Sequence, residues 1–352
     1  MCRGYVQRRQ TLLFRGSILS KRPMTSTVPA EWSPHRAIWV GFPSHAELWQ
    51  DDLAAAQAEV GALVRALAEA GGERVRLLVA GDKAAKAAGE LLSGVAGVTI
   101  TSGVFGDVWL RDTGPIFFAD RAVGFRFNGW GGKYILQGDE TVADQLAAGA
   151  GAPLTRAEFV LEGGAIDHDG EGTVLTTREC LLNPNRNRGW TEAVAEGALR
   201  DVLGAKKVIW LDKGLLNDHT DGHVDNLARF VAPGVVAIPL AFGADDPHAA
   251  IYDDAARILA SATDAAGRTL RVVRIPSPGR FMVDGVAVPA SHMNFIIANR
   301  AVVVPIYNAR AGAFALDAIR PLFPDREVIG LPSAALLTGG GSFHCISQQE
   351  PA

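Results

Sequence analysis

From residue 37 onward the chain alternates short apolar runs with alanine-rich amphipathic stretches, and it does so without interruption. Strands are predicted at 37–42, 75–80, 98–101, 115–118, 123–127, 159–167, 173–177, 207–211, 223–230, 235–240, 271–275, 293–298 and 301–305, and around Val328 and Cys345. Helices are predicted at 48–70, 83–92, 140–148, 191–203, 246–266 and 313–322. In the first of these, Leu53, Ala56, Val60, Leu63 and Leu67 recur at helical spacing, and Gly71-Gly72 stops the run. No linker rich in proline, serine or charge divides the series, so the pattern predicts one α/β domain. Polar clusters recur near positions 39, 109, 162, 223 and 294–345, about 65 residues apart, which hints at a repeated supersecondary unit. Repeats set around an axis would gather those clusters at one centre.

A chain of 352 residues, 48% hydrophobic and 20% charged, has ample length for a large core. No apolar stretch reaches the roughly 18–20 residues that span a bilayer, so no membrane segment is expected. The first thirty residues carry six cations and no acid, which leaves −10 on the remainder of a chain whose total is −4. An acidic body argues against a nucleic-acid partner and suits a cationic substrate. Residues 1–24 read as a basic leader preceding Met24 or, alternatively, as an organelle transit segment; either way they stand outside the expected catalytic domain, residues 31–352. Three cysteines, Cys2, Cys180 and Cys345, are too few for a disulfide framework and favour a reducing, cytoplasmic setting. Cys180, in an apolar run, reads as a small buried residue. Oligomeric state is left open.

The chain ends Gly339-Gly340-Gly341-Ser342-Phe343-His344-Cys345-Ile346-Ser347-Gln348-Gln349-Glu350-Pro351-Ala352. Three glycines permit close approach of a ligand, and the run after them predicts a buried strand carrying a thiol. Upstream lie Trp109-Leu110-Arg111-Asp112-Thr113-Gly114-Pro115, Glu162-Gly163-Gly164 and Asp221-Gly222-His223-Val224-Asp225. If 223–230 is a strand, His223 and Asp225 share a face, whereas His344 points away from Cys345 and is not expected to be a base. Singly, each cluster has a plain structural explanation, such as an ion pair or a solvated turn. Together they fit one chemistry. A guanidinium is planar and cationic, and its N–H fork suits two carboxylates. Two aspartates would orient it, a thiolate is the natural nucleophile for its carbon, and a histidine can protonate departing ammonia and then deprotonate water. No metal or organic cofactor is needed.

On these motifs the chain, from about residue 32 to 351, resembles the agmatine deiminase family, which includes the Porphyromonas-type peptidylarginine deiminase, within the guanidine-modifying pentein superfamily. The resemblance implies a five-bladed α/β propeller of ββαβ-type units. It implies hydrolysis of agmatine to N-carbamoylputrescine and ammonia, a step of polyamine synthesis. It casts Cys345 as nucleophile, His223 as general acid/base, Glu162 as directed toward His223 and substrate, and Asp112 and Asp225 as guanidinium clamps. Trp109 becomes a pocket wall and Gly341 a substrate contact. The family usually has Asn and Ile at the positions of Ser342 and Phe343, and often Asn at that of Asp221; these positions flank the chemistry and bear on how the substrate's distal end is held.

Three other readings stay open at the level of sequence. One is a deiminase of a different guanidine, such as arginine or peptidylarginine. Another is a metal hydrolase built on Asp218, His219, Asp221, His223 and Asp225, since His219 and His223 have the i, i+4 spacing of a helical metal pair. The third is a non-catalytic pentein that only binds.

Overall fold

The computed structural model describes residues 26–283 and 285–352. A recurring unit organises them: a short strand, a longer antiparallel partner, a helix, and a third strand parallel to the second. Ile116–Phe117, Ala122–Arg126 and Leu154–Val160 form one such sheet. Ile166–His168, Thr173–Thr177 and Lys207–Leu211 form the next. Arg229–Ala232, Val235–Leu240 and Arg271–Pro276 form a third. Ile296–Ile297, Ala301–Ile306 and Glu327–Pro332 form a fourth. The antiparallel pairs need only a tight turn; Gly234, at φ +71, supplies the left-handed residue in one of them. The parallel pairs need a crossover, and the helices Val142–Ala150, Glu192–Leu203, Ala249–Ala260 and Ala309–Ile319 provide it.

The remaining large sheet joins the two ends of the described chain, in the order Ser347–Pro351, His35–Gly41, Val75–Val79, Val98–Ser102. Its short strand comes from the C-terminus and pairs antiparallel with His35–Gly41. Helix Leu53–Glu69 buries the face read from the sequence, Ala56, Val60, Leu63 and Leu67, against this sheet. Full burial of each large aliphatic side chain contributes about 1.5–3 kcal/mol. The same core cluster takes in Trp109, Phe343, Cys345 and Ile346, so the C-terminal turn is anchored in the interior. Among the described residues no sheet closes on itself, and no helix is long and apolar enough to cross a membrane. The basic stretch 1–24 lies outside the described residues.

Several predicted elements differ from those observed, most of all next to the polar clusters. The strand expected over 159–167 is two strands, ending at Val160 and restarting at Ile166, with a 3-10 turn at Gly163–Ala165 between them. The strand expected over 223–230 begins only at Arg229, because Val224–Asn226 form another 3-10 turn. Cys345 sits in a turn before the strand that starts at Ser347 rather than within a strand. The helix expected over 48–70 begins at Leu53; ahead of it Ala46–Trp49 and Gln50–Asp52 are separate turns, divided where Gln50 takes φ +46. Strand Leu154–Val160 starts well before the expected one, because its polar, solvent-facing positions break the apolar run.

The short strands share one property. Each begins shortly after a bend that carries a polar side chain inward: Asp112 before Ile116, Glu162 before Ile166, Asp225 before Arg229, Asn294 before Ile296, and Cys345 before Ser347.

Candidate active site

These bends meet around Gly164. A Cβ placed there would lie 2.5 Å from His223 Nδ1, 2.9 Å from Asp112 Oδ1 and 3.1 Å from Asp225 Oδ2. Only glycine leaves room for the three groups to converge. Asp112 is buried in the bend Leu110–Thr113; its Oδ1 accepts the Gly164 N–H at 3.0 Å and its Oδ2 accepts Trp130 Nε1–H at 2.9 Å. His223 Nδ1 stands 3.6 Å from Asp112 Oδ1. Asp225 is fully buried, with Oδ2 bonded to His344 Nδ1 at 2.8 Å. Among the described residues, Asp225 Oδ1 and both ring nitrogens of His223 are buried with no conventional hydrogen-bond partner, the Cys180 thiol being the group beside the imidazole. Unpaired polar atoms in so enclosed a place are costly, and here they point to a ligand that completes them.

Cys345 Sγ lies 3.7 Å from Asp225 Oδ2, and Asn294 Nδ2–H donates to it at 3.1 Å. The glycines before Cys345 have a packing reason. A Cβ on Gly341 would fall 2.6 Å from the Trp109 ring and 3.1 Å from Cys345 Cβ, and one on Gly339 would strike Trp49. The indoles lie close against a backbone without side chains. Trp109 and Gly341 thus line, with Trp49, Asp107, Trp130, Tyr134 and His219, a cavity of about 260 Å³ that reaches Asp112 and Cys345. Its size suits a small extended molecule, and three indoles and a phenol are among its walls.

Glu162, 1% exposed, accepts Arg186 Nε–H at 2.7 Å. Arg186 also donates to Asp221 Oδ2 and to the Thr220 carbonyl, so one buried cation ties Glu162 to the loop that leads into His223.

The charges explain how the site is poised. Burial pushes the Cys345 thiol well above its ordinary pKa, and the nearby Asp225 and Asp112 push it further. Burial also raises Asp112, with Asp225 and Glu162 adding to the effect. Burial works against charging His223, yet Asp112, Cys180 and Glu162 together outweigh it, and the imidazole is raised well above its usual value. For Asp225, burial is outweighed by the His344 hydrogen bond and charge, and its carboxyl is lowered. A thiol and a carboxyl of suppressed acidity thus line one small cavity, with a second, more acidic carboxyl, that of Asp225, buried 3.7 Å from the sulfur. A cation placed there would stabilise every anionic form at once.

The structure brings Asp112, Glu162, His223, Asp225 and Cys345 together, with Trp109 and Gly341 beside them, and two of the local arguments are revised. His223 and Asp225 do not share the face of a strand; His223 precedes a 3-10 turn and Asp225 lies within it. Nor does His344 point away on the opposite face: its ring lies behind Asp225, with Nε2 3.5 Å from Glu31. Cys180 is buried, as read, but against His223 and Glu162. Sequence reasoning missed Trp130, Arg186 and Asn294, whose partners are far away along the chain; an ordinary-looking Asn183-Pro184-Asn185-Arg186 run gives no sign of a buried cation.

Among the described residues, two groups have side chains spaced to hold a metal ion: Glu162, Cys180 and His223, and Asp169, Glu171 and Asp264. Arg186 already engages Glu162, and Arg268 pairs with Glu171 and Asp264. The set Asp218, His219, Asp221, His223 and Asp225 is not gathered: Asp221 is taken by Lys133 and Arg186, and the Tyr134 hydroxyl holds His219.

Comparison with known proteins agrees over nearly the whole chain. The agmatine deiminase of Stutzerimonas stutzeri is 38% identical across 92% of this chain and 95% of its own length. The solved agmatine deiminase of Enterococcus faecalis superposes with a TM-score of 0.85 at 32% identity, covering 94% of this chain and 99% of that one. A cysteine-to-serine variant of the C. jejuni agmatine deiminase, solved with substrate bound, gives 0.85 at 26% identity, over 96% and 99%. The family model described as Porphyromonas-type peptidyl-arginine deiminase matches residues 27–351, and the chain belongs to that family.

Proposed function

We propose that this chain is an agmatine deiminase, and that residues 31–352 form its catalytic domain with the five sheets as blades of a pentein propeller. The observation that carries the reading is the pair of buried carboxyl groups, Asp112 and Asp225, beside the Cys345 thiol, with Asp225 Oδ1 unpartnered among the described residues. The names of the relatives, and the substrate-bound relative above all, support agmatine as substrate.

In this reading the guanidinium enters between Asp112 and Asp225, and its positive charge offsets the influence that holds the Cys345 proton in place. The thiol loses its proton to solvent as the cation binds, and the thiolate attacks the guanidinium carbon while His223 carries its proton. The C–N bond to an amino group then breaks, ammonia leaves with a proton from His223, and a thiouronium remains on Cys345. Water, deprotonated by His223, adds to the same carbon. The C–S bond breaks, and N-carbamoylputrescine departs as the thiol is restored. Two steps through sulfur replace direct attack of water on a resonance-stabilised cation. Glu162, fixed by Arg186, adds negative charge beside His223 and the substrate, and Trp109 walls the alkyl chain.

Purified protein given agmatine, free arginine and an arginine peptide in parallel tests the substrate. Ammonia and the ureido product are expected from agmatine. Turnover of the peptide without turnover of agmatine would reject the assignment.

A further inference from the structure

Four of the five inward bends carry a residue already placed in the reaction: Asp112, Glu162, Asp225 and Cys345. The fifth, just before Ile296–Ile297, carries Asn294, which is fully buried. We propose that Asn294 is a further catalytic residue, whose side-chain amide donates an N–H to the Cys345 sulfur and stabilises it as the anion. The proposal rests on the reading of Cys345 as nucleophile.

The direction of the amide is fixed by its surroundings. Asn294 Oδ1 receives the backbone N–H of His344 at 2.9 Å and that of Cys345 at 3.3 Å. Backbone N–H groups only donate, so this end of the amide must be the oxygen. Nδ2 therefore faces the other way, toward Asn226 Oδ1 at 2.9 Å, Cys345 Sγ at 3.1 Å and Asp225 Oδ2 at 3.4 Å. One hydrogen serves Asn226 and the second is available to sulfur, with Asp225 the most distant of the three.

A thiolate formed here needs such a donor. Water has little access to an 8% exposed cysteine, and Asp225 Oδ2, 3.7 Å from Sγ, opposes negative charge on it. Burial and the two aspartates raise the thiol pKa, and the Asn294 hydrogen bond is among the influences that lower it. The same amide also sets the position of sulfur, because its oxygen holds the backbone of the two residues that present it.

The test measures alkylation of Cys345 by iodoacetamide against pH in the free enzyme, read by intact mass and peptide mapping. It needs no substrate. Asn294→Asp keeps an oxygen for the two backbone N–H groups and removes the donor; Asn294→Ala removes both. In either variant the thiol titration should move to higher pH, and alkylation at a fixed pH below it should slow by about tenfold or more, as expected for loss of a hydrogen bond to a charged group. A folded variant of either kind whose profile superimposes on that of the unmutated protein overturns the proposal. Modification of the unmutated protein at Cys180 in place of Cys345 overturns the nucleophile assignment, and this one with it.

Discussion

Trp130 Nε1 donates to Asp112 Oδ2 at 2.9 Å, and it does so from a backbone held at φ +53. A bulky residue rarely takes that left-handed conformation. It is fixed here by the surrounding turn, in which Asn128 Oδ1 accepts the Gly131 N–H. The indole thereby orients the carboxylate proposed to clamp the guanidinium.

Trp130→Phe keeps most of the ring and removes the donor. Hydrogen bonds to charged groups contribute about 1.5–3 kcal/mol, so kcat/KM for agmatine should fall by roughly tenfold or more. Steady-state kinetics check this. Unchanged kcat/KM would mean that Asp112 is held well enough by Gly164 alone.

Asp225→Asn should have opposite effects on two reactions of one thiol. Deimination should drop by at least about tenfold, because a charged clamp is lost. Alkylation by a neutral reagent should become faster near neutral pH, because Asp225 is one of the groups that raise the Cys345 pKa. The sign follows from the direction of the shift: less negative charge nearby favours the thiolate, so its titration moves to lower pH. Asp112→Asn should act in the same sense. Parallel loss of both reactivities would place the two aspartates outside this electrostatic role.

The raised thiol pKa also separates reagents by charge in the unmutated protein. A cationic amidine alkylator should modify Cys345 faster at neutral pH than a neutral haloacetamide does, and the neutral reagent should accelerate as pH rises past the ordinary thiol range. Equal rates that do not vary with pH would contradict a protonated resting thiol.

Much of the scaffold was legible because apolar runs between turns mark strands, and the 3.6-residue spacing of Val60, Leu63 and Leu67 marks a buried helix face. The bends at Gly163–Ala165 and Val224–Asn226 were not, since a residue turned into a polar cavity looks like the continuation of a strand. Cys345, His223, Glu162, Asp112 and Asp225 were readable as chemical types set in recognisable motifs. Asn294 and Arg186 were not, because neither residue carries meaning until the fold sets it beside Cys345 or Glu162. The inward placement of His344 was hidden for the same reason: it depends on Asp225, whose carboxylate holds the ring from a position 119 residues away.

Arg186→Ala should destabilise the protein and not merely slow it. It would leave Glu162, 1% exposed, as a buried carboxylate without its cation. Breaking such a pair from one side costs about 3–5 kcal/mol. Urea unfolding measures this directly, and a loss under about 1 kcal/mol would show that the Glu162 charge is satisfied elsewhere.

The central claim is that Cys345 becomes covalently bonded to the guanidinium carbon. Intact-mass measurement on acid-quenched reactions with agmatine, followed by peptide mapping, tests it most directly. A thiouronium adduct confined to Cys345 is predicted, absent in Cys345→Ser, which should not turn over, and accumulating in His223→Ala wherever that variant still forms it. An adduct on Cys180, or full activity in Cys345→Ser, would contradict the account.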